Sequence, residues 1–357
     1  MKKVMFVIGG LANGGAERVV TSIASALADN EIDVSILTYY KSDNEYSFSN
    51  KINRINISNG SVNDYNKMSS FQRIREIRKN IKMINPDEII CFLAHPSVFV
   101  FIATLFTKYN KRISFAVRAN PKVENGNIAK LQIILAPFIK RLITQNKGQA
   151  DCYKNVKENK KYIIPNPMYD ELFINEKCYS SKVNKIVSVG RLTDQKNYEL
   201  AINAFEKINK KYPDNHYYIY GDGPLKNKLL TLINEKKLEN NIHIMGFEKD
   251  REVIYGDKDL YIMTSKFEGM PNALAEAMCK GIPAISTNCE FGPSDLIMNQ
   301  DMGILLNDFE IDTLVNSIEN VINNYDEYIV KAKKAKYILK KRYSFNEIVY
   351  KWISLLK

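Results

Sequence analysis

Short apolar runs alternate along the chain with longer segments of helical period. In the first half "KVMFVIG", "DVSILTYY", "EIICFLA" and "RISFAVRA" read as strands, set among "GGAERVVTSIASALAD", "FVFIATLFTKY" and "LQIILAPFIKRLIT". Near-continuous apolar strands separated by helical stretches predict a parallel sheet covered by helices on both faces. Around residue 165 the pattern lapses into "IPNPMYDELFINEKCYSSKVNK", with two prolines and no clear period, which reads as an interdomain linker. Alternation then restarts with "KIVSVGRL", "NYELAINAFEKINKKY", "HYYIYGDGP", "NIHIMGF", "DLYIMTS", "PAISTN" and "MGILLN". The fold class expected is α/β, with two doubly wound domains: 1–170, 171–340, and a terminal segment 341–357. In such sheets ligands lie beyond the carboxyl ends of the strands, and with two domains commonly in the cleft between them.

Composition narrows the class. With 357 residues, 45% hydrophobic and 25% charged, the chain can build two ordinary cores. Its most apolar stretches, "SVFVFIATLF" and "LQIILAPFI", are far shorter than the roughly 20 residues that span a bilayer. The N-terminal "KKVMFVIGG" lacks a cleavage pattern and reads as a first strand, so export is not expected. Five cysteines, odd in number and without C-x-x-C spacing, indicate neither a disulfide framework nor a zinc site and fit a cytoplasmic protein.

The net charge of +11 is unevenly placed. Through residue 180 there are 26 Lys and Arg against 16 Asp and Glu, so nearly the whole excess lies in the first half. Within it "FQRIREIRKNIKMI" (71–84) sets Phe71, Ile74, Ile77, Ile81 and Ile84 at helical spacing, with Arg73, Arg75, Arg78, Lys79 and Lys82 between them. This is a basic amphipathic helix, either packed by its isoleucines with a solvated basic face or apposed to an anionic membrane. No motif supports nucleic acid as a partner.

Candidate chemistry follows the strands. In "SKFEGMPNALAEAM" (265–278), Glu268 and Gly269 fall in a strand-to-helix loop, Pro271 and Asn272 open a helix, and Glu276 lies early in it. Free amides of a first helical turn suit an anionic phosphate, and a carboxylate beside them can accept hydrogen bonds from sugar hydroxyls. A plain alternative is that Glu276 only favours the helix dipole. "VSVGRLTDQKN" (187–197) ends a strand at Gly190 and offers Arg191 and Lys196, two cations suited to a diphosphate or, alone, two surface charges. "YGDGPL" brings Gly221, "GF" brings Gly246 and Phe247, and "GGLANGGAER" (9–18) puts Gly14 and Gly15 where backbone can approach a phosphate. Neither G-x-G-x-x-G nor G-x-x-x-x-G-K-[ST] occurs, which disfavours a dehydrogenase or an NTPase.

The order of these segments is far more specific than any one of them. "NGGAERV", "VGRLTDQKN", "YGDGPL", "GF" and "SKFEGMPNALAEAMCKGIPAIST" resemble the retaining nucleotide-sugar transferases of glycosyltransferase family 4, which have the GT-B fold. "NGGAERV" and "FGPSDLI" are most similar to the branch that builds capsule, O-antigen and other saccharides on polyprenyl-diphosphate lipids. The resemblance implies that Glu276 binds the donor ribose and Glu268 lies close to the donor sugar. Gly269, Met270, Pro271 and Asn272 would line the sugar-phosphate, with Leu274 in the same helix start. Arg191 and Lys196 would meet the diphosphate, Phe247, beside Gly246, lies in the region that meets the base, Gly190 and Gly221 count among the substrate-binding residues, and Gly14 and Gly15 would close over the phosphates. Many relatives carry an N-domain histidine in a segment that here reads "FAVRANP"; Arg118 stands in it, and His95 in "FLAHPS" is the other candidate, with a structural role equally open. "GDKDLY" has D-x-D spacing in Asp257 and Asp259 but precedes its strand and is read as structural; with cations and a helix terminus available, metal independence is expected.

By this resemblance the expected reaction is transfer of a hexose or N-acetylhexosamine from a nucleoside diphosphate sugar, UDP-linked by preference. The acceptor implied is a glycan on a polyprenyl diphosphate, met by the basic half on the cytoplasmic face of an anionic membrane. "YSFNEIVYKWISLLK" matches the family's C-terminal helix that returns to the first domain. The alternatives are another GT-B reaction, such as a sugar-phosphate-dependent synthase or a nucleotide-sugar epimerase, and a non-catalytic partner subunit.

Overall fold

A computed structural model describes residues 1–357 except 13, 59, 124, 125 and 175. Residues 1–167 together with 348–357 form one compact unit, and residues 168–347 form the other. Asn13 of "NGGAERV" thus lies outside the described residues.

In unit 1 seven strands, β1 (Lys3–Ile8), β2 (Asp33–Thr38), β3 (Asn53–Asn56), β4 (Glu88–Phe92), β5 (Ile113–Ala116), β6 (Arg141–Thr144) and β7 (Lys161–Ile163), build one sheet. Their order is β3-β2-β1-β4-β5-β6-β7, parallel throughout. The central strands are buried on both faces, so β1 and β4 read as unbroken apolar runs and not as alternations. Their direction of progress reverses between β1 and β4, the topological switch point at which such sheets bind ligands.

Unit 2 repeats the plan with six strands, β8 (Lys185–Val189), β9 (His216–Tyr220), β10 (Ile242–Gly246), β11 (Leu260–Met263), β12 (Ala284–Thr287) and β13 (Ile304–Leu306). Their order is β10-β9-β8-β11-β12-β13, again all parallel, with the switch between β8 and β11. One core packs the Tyr198–Lys211 and Ile311–Asn323 helices on the sheet; another packs the Asn272–Cys279 and Tyr325–Tyr343 helices.

The Phe345–Leu356 helix straddles the division of the chain, and most of it belongs to unit 1. Trp352, the only tryptophan, is wholly buried against Phe6 and Phe92, with ring centroids 6.1 and 6.2 Å away. Losing such an aromatic from a core typically costs about 3–5 kcal/mol, so this last helix is an integral part of unit 1.

Candidate donor site

Two loops leaving the central strands of unit 2 are tied together at its switch point. The loop after β8 turns back through Asn197, whose φ of 51° is left-handed. The loop after β11 is bound to it by four hydrogen bonds. The Thr264 hydroxyl donates to the Lys196 and Asn197 carbonyls at 2.9 and 3.0 Å, the Lys266 amide to the Gln195 carbonyl at 2.8 Å, and the Gln195 side-chain amide to the Phe267 carbonyl at 2.8 Å. This lacing sets Lys196 Nζ 2.5 Å from Glu268 Oε1, both largely buried. Two expected site residues 72 positions apart are therefore one ion pair.

Glycines make the room. Gly190 has φ of 158°, and a Cβ there would lie 2.8 Å from the Lys196 side chain. Gly221, at φ of 145°, donates its amide to the Gly246 carbonyl at 2.7 Å, and a Cβ on it would sit 2.0 Å from the Gly190 carbonyl oxygen. Three strand ends thus meet backbone to backbone, which only glycine permits. Beside them Arg191 and Phe247 are exposed.

The Asn272–Cys279 helix starts at Pro271, which occupies the N-cap position and not the first turn, and Gly281 follows its end at φ of 80°. Gly292 of "FGPSDLI" presses on its entrance: a Cβ there would lie 2.4 Å from Pro271 and 3.0 Å from the Gly269 carbonyl oxygen, fixing the Gly269–Pro271 backbone. Glu276 is buried, with Oε2 3.1 Å from the Tyr255 hydroxyl and 3.0 Å from Arg251 Nε. Burial works against the Arg251 charge, but Glu276 and Tyr255 outweigh it and hold its pKa above the usual value. Burial, reinforced by Glu276, pushes the Tyr255 phenol well above its ordinary range, so it stays a hydrogen-bond donor. Sequence reading missed Arg251 and Tyr255, which no spacing connects to Glu276. Leu274, expected at the same helix start, has its side chain fully buried in the unit 2 core.

Asp259 is structural, as its position before β11 implied. It accepts the Asn184 and Lys185 amides at 2.9 and 2.8 Å, at the amino end of the sheet away from these loops. A groove of unit 2, about 820 Å³ and lined in part by Asn299, Gln300 and Asn316, runs along the β13 edge and holds none of these residues.

In unit 1 the four other candidates, Gly14, Gly15, His95 and Arg118, follow neighbouring strands of its own switch region. Gly14 caps the Gly15–Asp29 helix after β1, and the space a Cβ would fill is taken by the Glu17 carboxylate, 1.9 Å from that point. Burial raises the Glu17 carboxyl pKa, opposed by its backbone hydrogen bond. His95, after β4, stacks on Phe99 at 4.2 Å and meets the Tyr39 ring edge-on at 5.4 Å; burial, then Arg73, lowers its pKa. Arg118, after β5, donates to the Ile164 carbonyl at 2.8 Å and to Asn166 Oδ1 at 3.3 Å and lies over the Phe92 and Trp352 rings. Its Nε and second Nη are buried without a protein acceptor, and burial pushes its pKa down to about 9. A guanidinium with unused donors and no carboxylate beside it keeps the capacity to bind an anion.

Comparison with known proteins agrees with this architecture. The family description "Glycosyl transferases group 1" fits residues 171–341 and "Glycosyl transferase 4-like" fits residues 11–120, which together take in most of the chain. A Campylobacter jejuni alpha-1,4-N-acetyl-D-galactosaminyltransferase, named for a PP-undecaprenol-linked GalNAc acceptor, is 25% identical over 363 residues, covering 100% of this chain and 98% of that protein. An Escherichia coli UDP-Gal:alpha-D-GlcNAc-diphosphoundecaprenol alpha-1,3-galactosyltransferase is 31% identical over 210 residues, 54% of each chain. The crystal structure of Anabaena HepE in complex with UDP and glucose superposes with a TM-score of 0.83 at 19% identity, covering 100% of this chain and 99% of that one. The chain belongs to the group 1, family 4-like glycosyltransferases of GT-B fold, and it is an enzyme of that class.

Proposed function

We propose that the protein is a retaining transferase that moves a hexose or N-acetylhexosamine from a UDP-sugar to a saccharide carried on a polyprenyl diphosphate. The observation that carries this reading is the assembly, at the unit 2 switch point, of Lys196, Glu268 and the start of the Asn272–Cys279 helix, with Glu276 held by Arg251 and Tyr255. Glu276 suits the ribose hydroxyls, since Arg251 and Tyr255 fix the position of a carboxylate, a group that can accept several hydrogen bonds at once. Lys196, Arg191 and the helix start would meet the diphosphate, whose charge grows as the bond to the sugar breaks; we assign this work to them and no step to a metal. A departing phosphate oxygen can take the proton of the attacking acceptor hydroxyl on the same face, so no dedicated base is needed and the anomeric configuration is kept. The alpha linkages in the names of both transferase relatives support retention, because UDP-hexose donors of this kind are alpha-linked.

The lipid-linked acceptors in those names, and the positive excess of the first half, support a peripheral place on the cytoplasmic face of an anionic membrane. Among the described residues no helix is long and apolar enough to cross one. The test is a thermal-shift panel of UDP, GDP and their sugar conjugates with chelator present, run on the parent and on Lys196→Met. Stabilisation by UDP compounds alone, lost in the variant, is the expected result. Stabilisation by GDP compounds would replace the donor, and none with any nucleotide would move the partner-subunit reading ahead.

A further inference from the structure

Strand β13 forms one edge of the unit 2 sheet, two places beyond β11 and so away from the switch point, and pairs with β12 alone among the described residues. The groove of about 820 Å³ that runs along it falls within the range of about 300–1,000 Å³ of small-ligand sites. Part of its lining is a single face of the Ile311–Asn323 helix: Thr313, Asn316, Ser317 and Asn320 stand at i, i+3, i+4 and i+7, while Leu314, Val315, Ile318 and Val321 turn to the core. This outward stripe carries no charge. The Tyr198–Lys211 helix packed beside it exposes Lys207, Lys210 and Lys211, the ordinary filling of a solvated helical face. Asn, Ser and Thr are weaker helix formers, so the stripe gives up helix stability for groups that both donate and accept hydrogen bonds.

The rest of the lining continues that chemistry. Glu327 and Lys331, the charged residues of the groove, are ion-paired at 2.7 Å and cancel each other. Several polar groups are held in place from behind. Asn320 Nδ2 donates to the Tyr328 hydroxyl at 2.8 Å, and its Oδ1 accepts from Asn324 Nδ2 at 2.8 Å. Asn288 Nδ2 donates to Asn307 Oδ1 at 3.2 Å. Asn299 Oδ1 accepts the Asp301 amide at 3.0 Å, and Lys334 pairs with Asp301 at 2.7 Å, which fixes that turn against the last helix of unit 2. Gln300 and Asn316 are exposed and make no hydrogen bond among the described residues, so their whole amides are available to a ligand. Met298, Ile304 and Leu305 add a small, partly exposed apolar patch.

We propose that this groove is a second saccharide site, which takes a neutral oligosaccharide outside the donor site. Amides that donate and accept from adjacent atoms match the neighbouring hydroxyls of a sugar ring, and the apolar patch matches its C–H face. The cancelled charge disfavours a phosphate, a nucleotide or an acidic glycan, each of which needs an excess of cations. The assignment does not depend on the donor reading, since no residue of the groove belongs to the donor candidates.

The test is titration of the full chain with maltotetraose, chitotetraose and tetragalacturonate, followed by saturation-transfer difference NMR with and without UDP. A neutral tetrasaccharide should bind with an affinity on the order of millimolar, unchanged by UDP. Asn316→Ala/Gln300→Ala should weaken it about tenfold, as loss of two neutral hydrogen bonds does. Ser317→Phe, which fills the groove, should abolish it. Melting temperatures check that each variant is folded, and UDP stabilisation, expected to persist in all of them, is read on the same samples. No saturation transfer to either neutral saccharide overturns the proposal, and transfer instead to a neutral Thr-Val repeat peptide assigns the groove to strand addition on β13. Neutral binding that UDP displaces, or that the variants leave as in the parent, places the sugar elsewhere and overturns it. Tighter binding of tetragalacturonate overturns the neutral character of the site. Absence of UDP stabilisation in the parent, with saccharide binding intact, leaves the groove standing and removes the donor reading alone.

Discussion

Replacing Glu276 by alanine separates the structural from the chemical work of one carboxylate. Its Oε2 lies 3.0 Å from Arg251 Nε and 3.1 Å from the Tyr255 hydroxyl, and the two ionic side chains are 11% and 23% exposed. Removing one member of a fully buried pair costs about 3–5 kcal/mol, because the other charge is left uncompensated. Here Arg251 reaches some solvent, and the Tyr255 hydroxyl keeps the Ala273 carbonyl at 3.3 Å, so about 2–3 kcal/mol is the appropriate figure. At about 2–4 °C per kcal/mol for a unit of this size, Glu276→Ala should lower the apo melting temperature by about 4–12 °C. Glu276→Gln keeps an acceptor oxygen and should cost about 1 kcal/mol. If Glu276 also accepts ribose hydroxyls, each lost charge-assisted bond is worth about 1.5–3 kcal/mol, so both variants should weaken UDP binding by about 10- to 100-fold. Differential scanning fluorimetry gives the first quantity, and titration calorimetry below the melting temperature gives the second. An unchanged UDP affinity in Glu276→Gln refutes the ribose role, and an unchanged apo melting temperature in Glu276→Ala refutes a stabilising role for the Glu276–Arg251 pair.

Other perturbations probe neighbouring parts. Lys196→Met should lower kcat by about 100- to 1,000-fold, as loss of a group that stabilises transition-state charge does, in steady-state transfer assays with any accepted donor. Gly221→Ala places a Cβ 2.0 Å from the Gly190 carbonyl oxygen at φ of 145° and should cost about 3 kcal/mol or more; Gly126→Ala, with nothing within 4 Å, should leave the melting temperature unchanged. The His216 and His243 rings touch at 3.2 Å, and burial, then His216, lowers the His243 pKa. Below about pH 6.5 the unfolded chain therefore takes up this proton before the folded one does, and stability falls as pH drops towards the folded-state pKa. In His243→Phe the melting temperature should fall less between neutral pH and about pH 5.

The two sheets were legible because buried parallel strands leave unbroken apolar runs, and "KVMFVI" and "EIICF" are β1 and β4 as read. The loop positions of the candidates Gly190, Arg191, Lys196 and Glu268, directly after such strands, were readable for the same reason, since the fold fixes where strands end. Their pairing was not: Lys196 meets Glu268, and Glu276 meets Arg251, only through parallel pairing of β8 with β11 and packing of the short Arg251–Tyr255 helix, which leave no local period. Periodicity also misled where a helix is not fully packed. Phe71 continues the isoleucine spacing of its helix yet is exposed, because the buried stripe narrows to Ile77 and Ile81. Leu274 sits among candidate site residues in sequence, but in a helix its position turns it to the core.

The most direct test of the central claim is the anomeric configuration of the product. The purified protein would be given UDP-galactose, UDP-glucose and their N-acetylhexosamine counterparts, each with a polyprenyl-diphosphate saccharide, and the new linkage read by proton NMR. Transfer from one of these donors with an alpha linkage is the predicted result. A beta linkage would contradict the same-face mechanism, and hydrolysis or epimerisation without transfer would contradict the assignment as a glycan-building transferase.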